Sequence, residues 1–81
     1  LKADLVACAN IIPSVRSLYK WQGKIEEGDE VIVLFKTRAA KVGDVISTLE
    51  GLHSYDVPQI EVLSVEEANK AFQKWIIDET L

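Results

Sequence analysis

The chain is poor in the residues that build soft metal sites and disulfide bonds. Its 81 residues include one cysteine, one histidine and no methionine. A single cysteine cannot close an internal disulfide, so we expect a reducing compartment, the cytoplasm, with an organelle as the alternative. Zinc or copper takes three or four nitrogen, sulfur or oxygen ligands. A metal site in this protein would therefore have to combine residues from several chains or add carboxylates such as Asp56 and Glu61.

Long apolar runs and an excess of positive charge are also missing. The longest unbroken apolar run, residues 31–35, is far too short to span a membrane, and residues 1–10 lack the basic start of a signal peptide. Thirteen acidic and nine basic residues give a net charge of −4, which repels nucleic acid. We therefore expect neither a membrane nor a nucleic acid as partner.

The usual signatures of enzymes are missing as well. No serine or cysteine nucleophile has an evident base and orienting group, and the four glycines form neither a Gly-x-Gly-x-x-Gly motif nor a phosphate-binding loop. The sequence therefore favours a protein without catalytic activity.

The hydrophobic pattern predicts a single domain, residues 1–81, that mixes helices and strands. Apolar residues at i, i+4 and i+7 predict the end of a helix in residues 1–10, and a turn is expected at Gln22-Gly23. Gly28 is a candidate for a bulge with positive φ. The remaining predictions are strands at 11–21, 25–37 and 59–65, a helix at 38–53, and a helix from about Ala68 to the C-terminus.

The strand at 31–35 is apolar on both sides of its pleat. A strand with one solvated face should alternate apolar and polar residues, so both faces must be covered. Because a chain of this length buries a small share of its surface, we expect subunit contacts to provide part of the cover. The nearby acidic cluster, Glu26 to Glu30, is interpreted as a solvated segment that discourages edge pairing rather than as a cation site.

Three motifs resemble the CutA divalent-cation-tolerance family of small trimeric proteins. They are Ala7-Cys8-Ala9-Asn10-Ile11-Ile12-Pro13, Tyr19-Lys20-Trp21-Gln22-Gly23-Lys24 and His53-Ser54-Tyr55-Asp56-Val57-Pro58. The resemblance implies a trimeric α+β fold, a ferredoxin-like βαββαβ sandwich with a long β-hairpin and an extra C-terminal helix. It also implies that the first strand and most of the first helix are absent from this chain, so that the domain is N-terminally incomplete.

The same resemblance implies a role in tolerance of divalent metals such as copper, through weak binding. Cys8 and His53 are the implied metal ligands, although a cysteine on an apolar stripe is often a small buried hydrophobe and a histidine ending a helix often satisfies final carbonyls. The residues that the resemblance places at a cleft between subunits are Tyr19, Trp21, Lys36, Tyr55 and Trp75. Lys36 would neutralise an interfacial carboxylate or hold an anion there.

Two other functions compete with metal tolerance. PII-type signalling proteins are also ferredoxin-like trimers and bind small effectors between subunits, although the sequence shows no basic loops for phosphate. A non-catalytic trimeric scaffold or anchor needs no ligand at all.

Overall fold

The computed structural model describes residues 1–53 and 58–81, and its central feature is a long antiparallel hairpin. Strand β1 is Cys8–Trp21 and strand β2 is Lys24–Lys36. The turn between them consists of Gln22 and Gly23, with φ values of 50° and 80°. Two positive φ values match the right-handed twist of a hairpin, so this pair confirms the predicted tight turn.

One β-bulge interrupts the hairpin, and it is not where the sequence predicted it. Ile12 pairs with Ile32 and Val15 with Glu30, so β1 advances three residues where β2 advances two. The extra residue lies at Pro13-Ser14, where proline has no N–H to give to the ladder. Gly28 pairs regularly with Ser17 and has no positive φ, so the predicted bulge at Gly28 is wrong.

The prediction of a helix end in residues 1–10 is also wrong. The chain makes turns and bends before β1, and Asp4 has a φ of 58°, a left-handed value that a right-handed helix does not accept. The amide of Ala7 donates to the carbonyl of Lys36 at 2.8 Å, which adds one hydrogen bond between the strands just before β1. Strand β1 therefore begins three residues earlier than expected and includes Cys8.

The two predicted helices are present with shorter bounds. A 3₁₀ turn, Ala39–Lys41, leads into helix α1, Val42–Leu52, and helix α2 is Lys70–Glu79. The apolar side of α1 packs near the base of the hairpin, the end opposite the Gln22-Gly23 turn. An open apolar cavity of about 230 Å³ lies there, lined by Leu1, Leu5, Phe35, Val45, Leu49 and Leu52. One face of the hairpin is thus partly covered by α1.

The predicted strand at 59–65 is not formed in this structure. The described sheet contains two strands in the order β1-β2, and residues 59–65 make no ladder with either. Apolar residues that prefer an extended backbone do not form a strand by themselves. Their backbone N–H and C=O groups need a neighbouring strand to pair with. The observed fold is α+β, with one hairpin and two α-helices in the described residues.

Neither described helix is long and apolar enough to cross a membrane.

Candidate functional site

The bulge at Pro13-Ser14 decides which side chains share a face of the hairpin. Directly paired residues of an antiparallel ladder point to the same side, and side chains alternate along each strand. An extra residue in β1 shifts its alternation, so that Cys8 before the bulge and Tyr19 after it lie on one face. Without the extra residue these two side chains would lie on opposite faces.

We call this side of the hairpin the Cys8 face. From base to tip its β1 residues are Cys8, Asn10, Ile12, Val15, Ser17, Tyr19 and Trp21, and the β2 residues opposite them are Lys36, Leu34, Ile32, Glu30, Gly28, Glu26 and Lys24. Phe35, near which α1 packs, belongs to the other face. Four of the predicted site residues, Cys8, Tyr19, Trp21 and Lys36, therefore share the face away from α1.

A polar cluster lies at the base of the Cys8 face. Cys8 pairs directly with Lys36 in the ladder, and both residues are half-buried. The ammonium Nζ of Lys36 donates to Oδ1 of Asn10 at 2.8 Å, across the diagonal of the same face. Asn10 belongs to the first sequence motif, but nothing in the sequence identified it as the partner of Lys36. The pairing register, which is set by the turn and the bulge, brings the two together.

Aromatic side chains occupy the tip of the same face. Trp21 pairs with Lys24 next to the turn, and the Tyr19 ring lies close to Gly28 on the neighbouring strand. Cys8 and Tyr19 are separated by eleven residues of strand, or about 36 Å at ~3.3 Å per residue. One chain therefore does not gather the base cluster and the tip aromatics into one cleft.

His53 and Trp75 come from the helices. The backbone amide of His53 closes α1 by donating to the carbonyl of Leu49 at 2.9 Å. Trp75 lies on α2 and stacks with Phe72, with ring centroids 5.9 Å apart. Tyr55, the remaining predicted cleft residue, lies outside the described residues. The structure thus places Lys36 at the base of the hairpin, Tyr19 and Trp21 toward its tip, and Trp75 on α2.

The donor set limits what metal chemistry a single chain can support. Within residues 1–53 and 58–81, no three side chains of His, Cys, Asp or Glu converge as a metal site would require. One thiol and one imidazole fit a divalent metal only if carboxylates or residues of other copies add further ligands. The described residues of one chain therefore do not by themselves gather enough ligands for a metal site.

The exposure of apolar side chains is the clearest physical property of this chain. Among the described residues, Val6 is the one buried apolar side chain, at 7% exposure. Ile12, Ile32 and Leu34 on the Cys8 face remain 40–42% exposed, so each forgoes part of the roughly 1.5–3 kcal/mol that full burial of such a side chain contributes. Exposed apolar patches of this kind are typical of contact surfaces.

The long bulged hairpin, its apolar faces and the two helices define a small α+β protein. The family model described as "CutA1 divalent ion tolerance protein" matches residues 1–79. The chain belongs to this family, which confirms the resemblance drawn from its three motifs.

Similar sequences come from distant organisms. A "Divalent-cation tolerance protein CutA" of Pyrococcus horikoshii is 42% identical over 80 residues, which are 99% of this chain and 78% of the relative. A "Protein CutA homolog" of Xenopus laevis is 39% identical over 78 residues, 96% of this chain. The chain spans about half the length of that relative, 52%, and 41% of the mouse protein.

Solved structures agree with the fold. A periplasmic divalent cation tolerance protein CutA from Archaeoglobus fulgidus aligns with a TM-score of 0.96 at 34% identity, over 100% of this chain and 78% of that one. CutA1 from Pyrococcus horikoshii aligns with a TM-score of 0.91 at 40% identity, over 99% and 78%. The hairpin and helices described above therefore have the arrangement found in this family.

Proposed function

We propose that this protein acts in divalent-cation tolerance as a homotrimer of ferredoxin-like subunits, and that it binds copper or another divalent metal weakly between subunits. Exposure of apolar residues on both faces of the hairpin carries the proposal, because these surfaces are stable in water only when covered. Membership of the divalent ion tolerance family supports the cation as the relevant ligand.

The metal part of the proposal assigns Cys8 and His53 as ligands. Cys8 lies at the base of a strand and His53 ends α1, so each comes from a rigid element rather than from a long loop. Each subunit contributes one thiol and one imidazole, and carboxylates would complete the coordination. Because the site would form only on assembly, its affinity would depend on protein concentration.

A non-catalytic scaffold is the second candidate function. The observation that favours it is the lack of three converging metal-ligating side chains in the described part of the chain. In this function the trimer presents a rigid surface, and metal tolerance follows indirectly from a partner.

The cytoplasmic location stays part of the proposal. It is supported by the single cysteine, which forms no internal disulfide. The similar protein from Archaeoglobus fulgidus is described as periplasmic.

Calorimetric titration of the assembled protein with Cu(II), Zn(II) and ATP separates the functions. Metal heat that disappears in both Cys8→Ser and His53→Ala supports the proposed ligands, and unchanged heat in both variants overturns them. Nucleotide heat would instead indicate a PII-like effector site, and no heat with any titrant supports the scaffold.

The control for this titration is Asp44→Asn. Asp44 is an exposed carboxylate in the first turn of α1, about 13 Å along the helix axis from His53. Its removal lowers the negative charge by one unit without touching a proposed ligand. Metal heat must therefore survive in this variant, since its loss would mean that general charge attraction produces the signal.

A further inference from the structure

The residue paired directly with Cys8 carries a positive charge. Cys8 lies opposite Lys36 in the ladder, and the Cβ atoms of directly paired residues are about 4.5–5.5 Å apart in antiparallel strands. Both side chains are half-buried, so water and salt screen a charge there less than at a fully exposed position. A cation bound to the Cys8 thiolate would therefore lie in the field of the Lys36 ammonium group.

Two features keep this positive charge on the Cys8 face. Nζ of Lys36 donates to Oδ1 of Asn10 at 2.8 Å, and Asn10 is the next residue of β1 on the same face as Cys8. The hydrogen bond holds the ammonium group over β1, and the neutral amide does not offset its charge. Among the described residues no carboxylate forms an ion pair with Lys36, whereas Arg16 and Lys74 each have one.

Repulsion by this ammonium group depends on the charge of the bound ion. Coulomb energy is proportional to the product of the charges, so a divalent ion is repelled about twice as strongly as a monovalent ion in the same place. A thiolate is a good ligand for soft cations of either charge. The Cys8–Lys36 pairing therefore disfavours divalent ions more than monovalent ones.

We propose that Lys36 is a specificity-determining residue that weakens the binding of divalent cations at Cys8 and shifts the preference of this thiol toward soft monovalent cations. Asn10 is the positioning residue that holds the ammonium group in place. The inference rests on the proposed assignment of Cys8 as a metal ligand, and it gives a physical reason for weak divalent binding at that residue.

Removal of the charge in Lys36→Gln tests the inference, with Zn(II) as a divalent probe that does not oxidise the thiol. In calorimetry of the assembled protein we expect the dissociation constant for Zn(II) to fall about tenfold, or about 1.4 kcal/mol. For Ag(I), a monovalent thiol-binding ion measured by competition with a chelator, we expect a fall of about threefold, because the Coulomb energy is half as large. Lys36→Arg keeps the charge and should stay within about twofold of wild type for both ions.

The matched control is Lys24→Gln. Lys24 lies on the same face at the other end of β2 and is exposed, about 40 Å from Lys36 along the strand. The substitution changes the net charge by the same unit, so Zn(II) binding should stay as in wild type. Equal tightening in Lys24→Gln and Lys36→Gln would show that net charge controls the affinity, and would overturn the inference. Lys36→Leu has no polar side-chain atom and should reproduce the gain, which excludes the new amide as a ligand.

Asn10→Ala tests the positioning role separately. Without the Oδ1 acceptor the ammonium group is free to extend into solvent, so we expect a smaller gain in Zn(II) affinity, of about threefold. Combined with Lys36→Gln, the substitution should add nothing further. A full additional gain in the double variant would contradict the positioning role of Asn10.

A Cys8→Ser background keeps this inference distinct from the proposed metal site. There Lys36→Gln should give no gain, because the ligand that Lys36 acts on is absent. Zn(II) binding that is unchanged in Cys8→Ser would contradict Cys8 as a ligand. Binding that is lost in Cys8→Ser but unchanged in Lys36→Gln, or equal gains for Zn(II) and Ag(I), would overturn only the role of Lys36. Light scattering on each variant ensures that proteins in the same state of assembly are compared.

Discussion

The guanidinium group of Arg38 donates two hydrogen bonds to the carbonyl of Thr80, from Nε at 3.1 Å and from Nη2 at 2.9 Å. Arg38 follows β2, and Thr80 is fully buried at the end of α2, where its hydroxyl donates to the carbonyl of Ile76. These contacts hold the C-terminal end of α2 against the base of the hairpin. The positive charge of Arg38 near the last carbonyls of α2 also interacts favourably with the negative end of the helix dipole.

Arg38→Ala is therefore expected to lower the free energy of unfolding by about 1.5–3 kcal/mol, the range for hydrogen bonds to a charged group. Amide hydrogen exchange should accelerate most in Lys70–Glu79. Arg16→Ala is the control, because Arg16 pairs with Glu27 on the surface and exposed pairs contribute about 0–1 kcal/mol. Equal effects of the two substitutions would contradict the fastening role of Arg38.

Gly23 is expected to be the glycine least tolerant of a side chain. Its φ of 80° places it in the left-handed region, although nothing lies within 4 Å of an added Cβ. The cost of Gly23→Ala is therefore conformational, about 1–2 kcal/mol in chemical denaturation. Gly43→Ala is the matched control, because Gly43 lies in α1 with equal free space and alanine favours a helix. A stabilised Gly23→Ala variant would contradict the turn geometry.

Deletion of Ser14 is expected to disrupt the hairpin more than any single substitution in β1. The deletion removes the extra residue of the bulge, so a continuous ladder would move either Cys8 or Tyr19 to the opposite face. We expect loss of assembly in light scattering and a lower unfolding midpoint. Pro13→Ala keeps the residue count and should keep the assembly. A deletion variant that assembles as well as Pro13→Ala would show that assembly does not depend on Cys8 and Tyr19 lying on the same face.

The Lys74–Asp78 pair on α2 predicts a small dependence of helix stability on alkaline pH. The hydrogen bond and the charge of Asp78 raise the pKa of Lys74 above its ordinary value of 10.5. A raised folded pKa means that the contribution is present below pH 10.5 and is lost as pH rises through the folded value. An NMR titration of the Lys74 side chain should show a lower pKa in Asp78→Asn and a retained shift in Asp78→Glu. An identical pKa in Asp78→Asn would contradict the pairing.

Much of the fold follows from local signals in the sequence. Gln22-Gly23 supplies the positive φ values of a hairpin turn, and the stripes of both helices have the period of 3.6 residues. The prediction of a helix before Cys8 is wrong because three apolar residues at helical spacing also fit a chain that turns and then enters a strand. The prediction of a strand at 59–65 is wrong because strand formation depends on a partner strand that the local sequence does not show.

Less of the candidate site than of the fold could be predicted from the sequence. Cys8, Tyr19, Trp21 and Lys36 were identified by resemblance, but their common face depends on a bulge that was expected at Gly28 and occurs at Pro13-Ser14. The signal that could have found it is Pro13 itself, which cannot donate in a ladder. Asn10 was missed as the partner of Lys36 because cross-strand register is not visible in spacing along the chain.

The apolar hairpin is expected to be stable because copies of the chain cover it, and the mass of the protein in solution tests this most directly. Native mass spectrometry or light scattering at micromolar concentration should give three times 9.0 kDa, about 27 kDa. A particle of 9.0 kDa that still unfolds cooperatively at that concentration would contradict the claim.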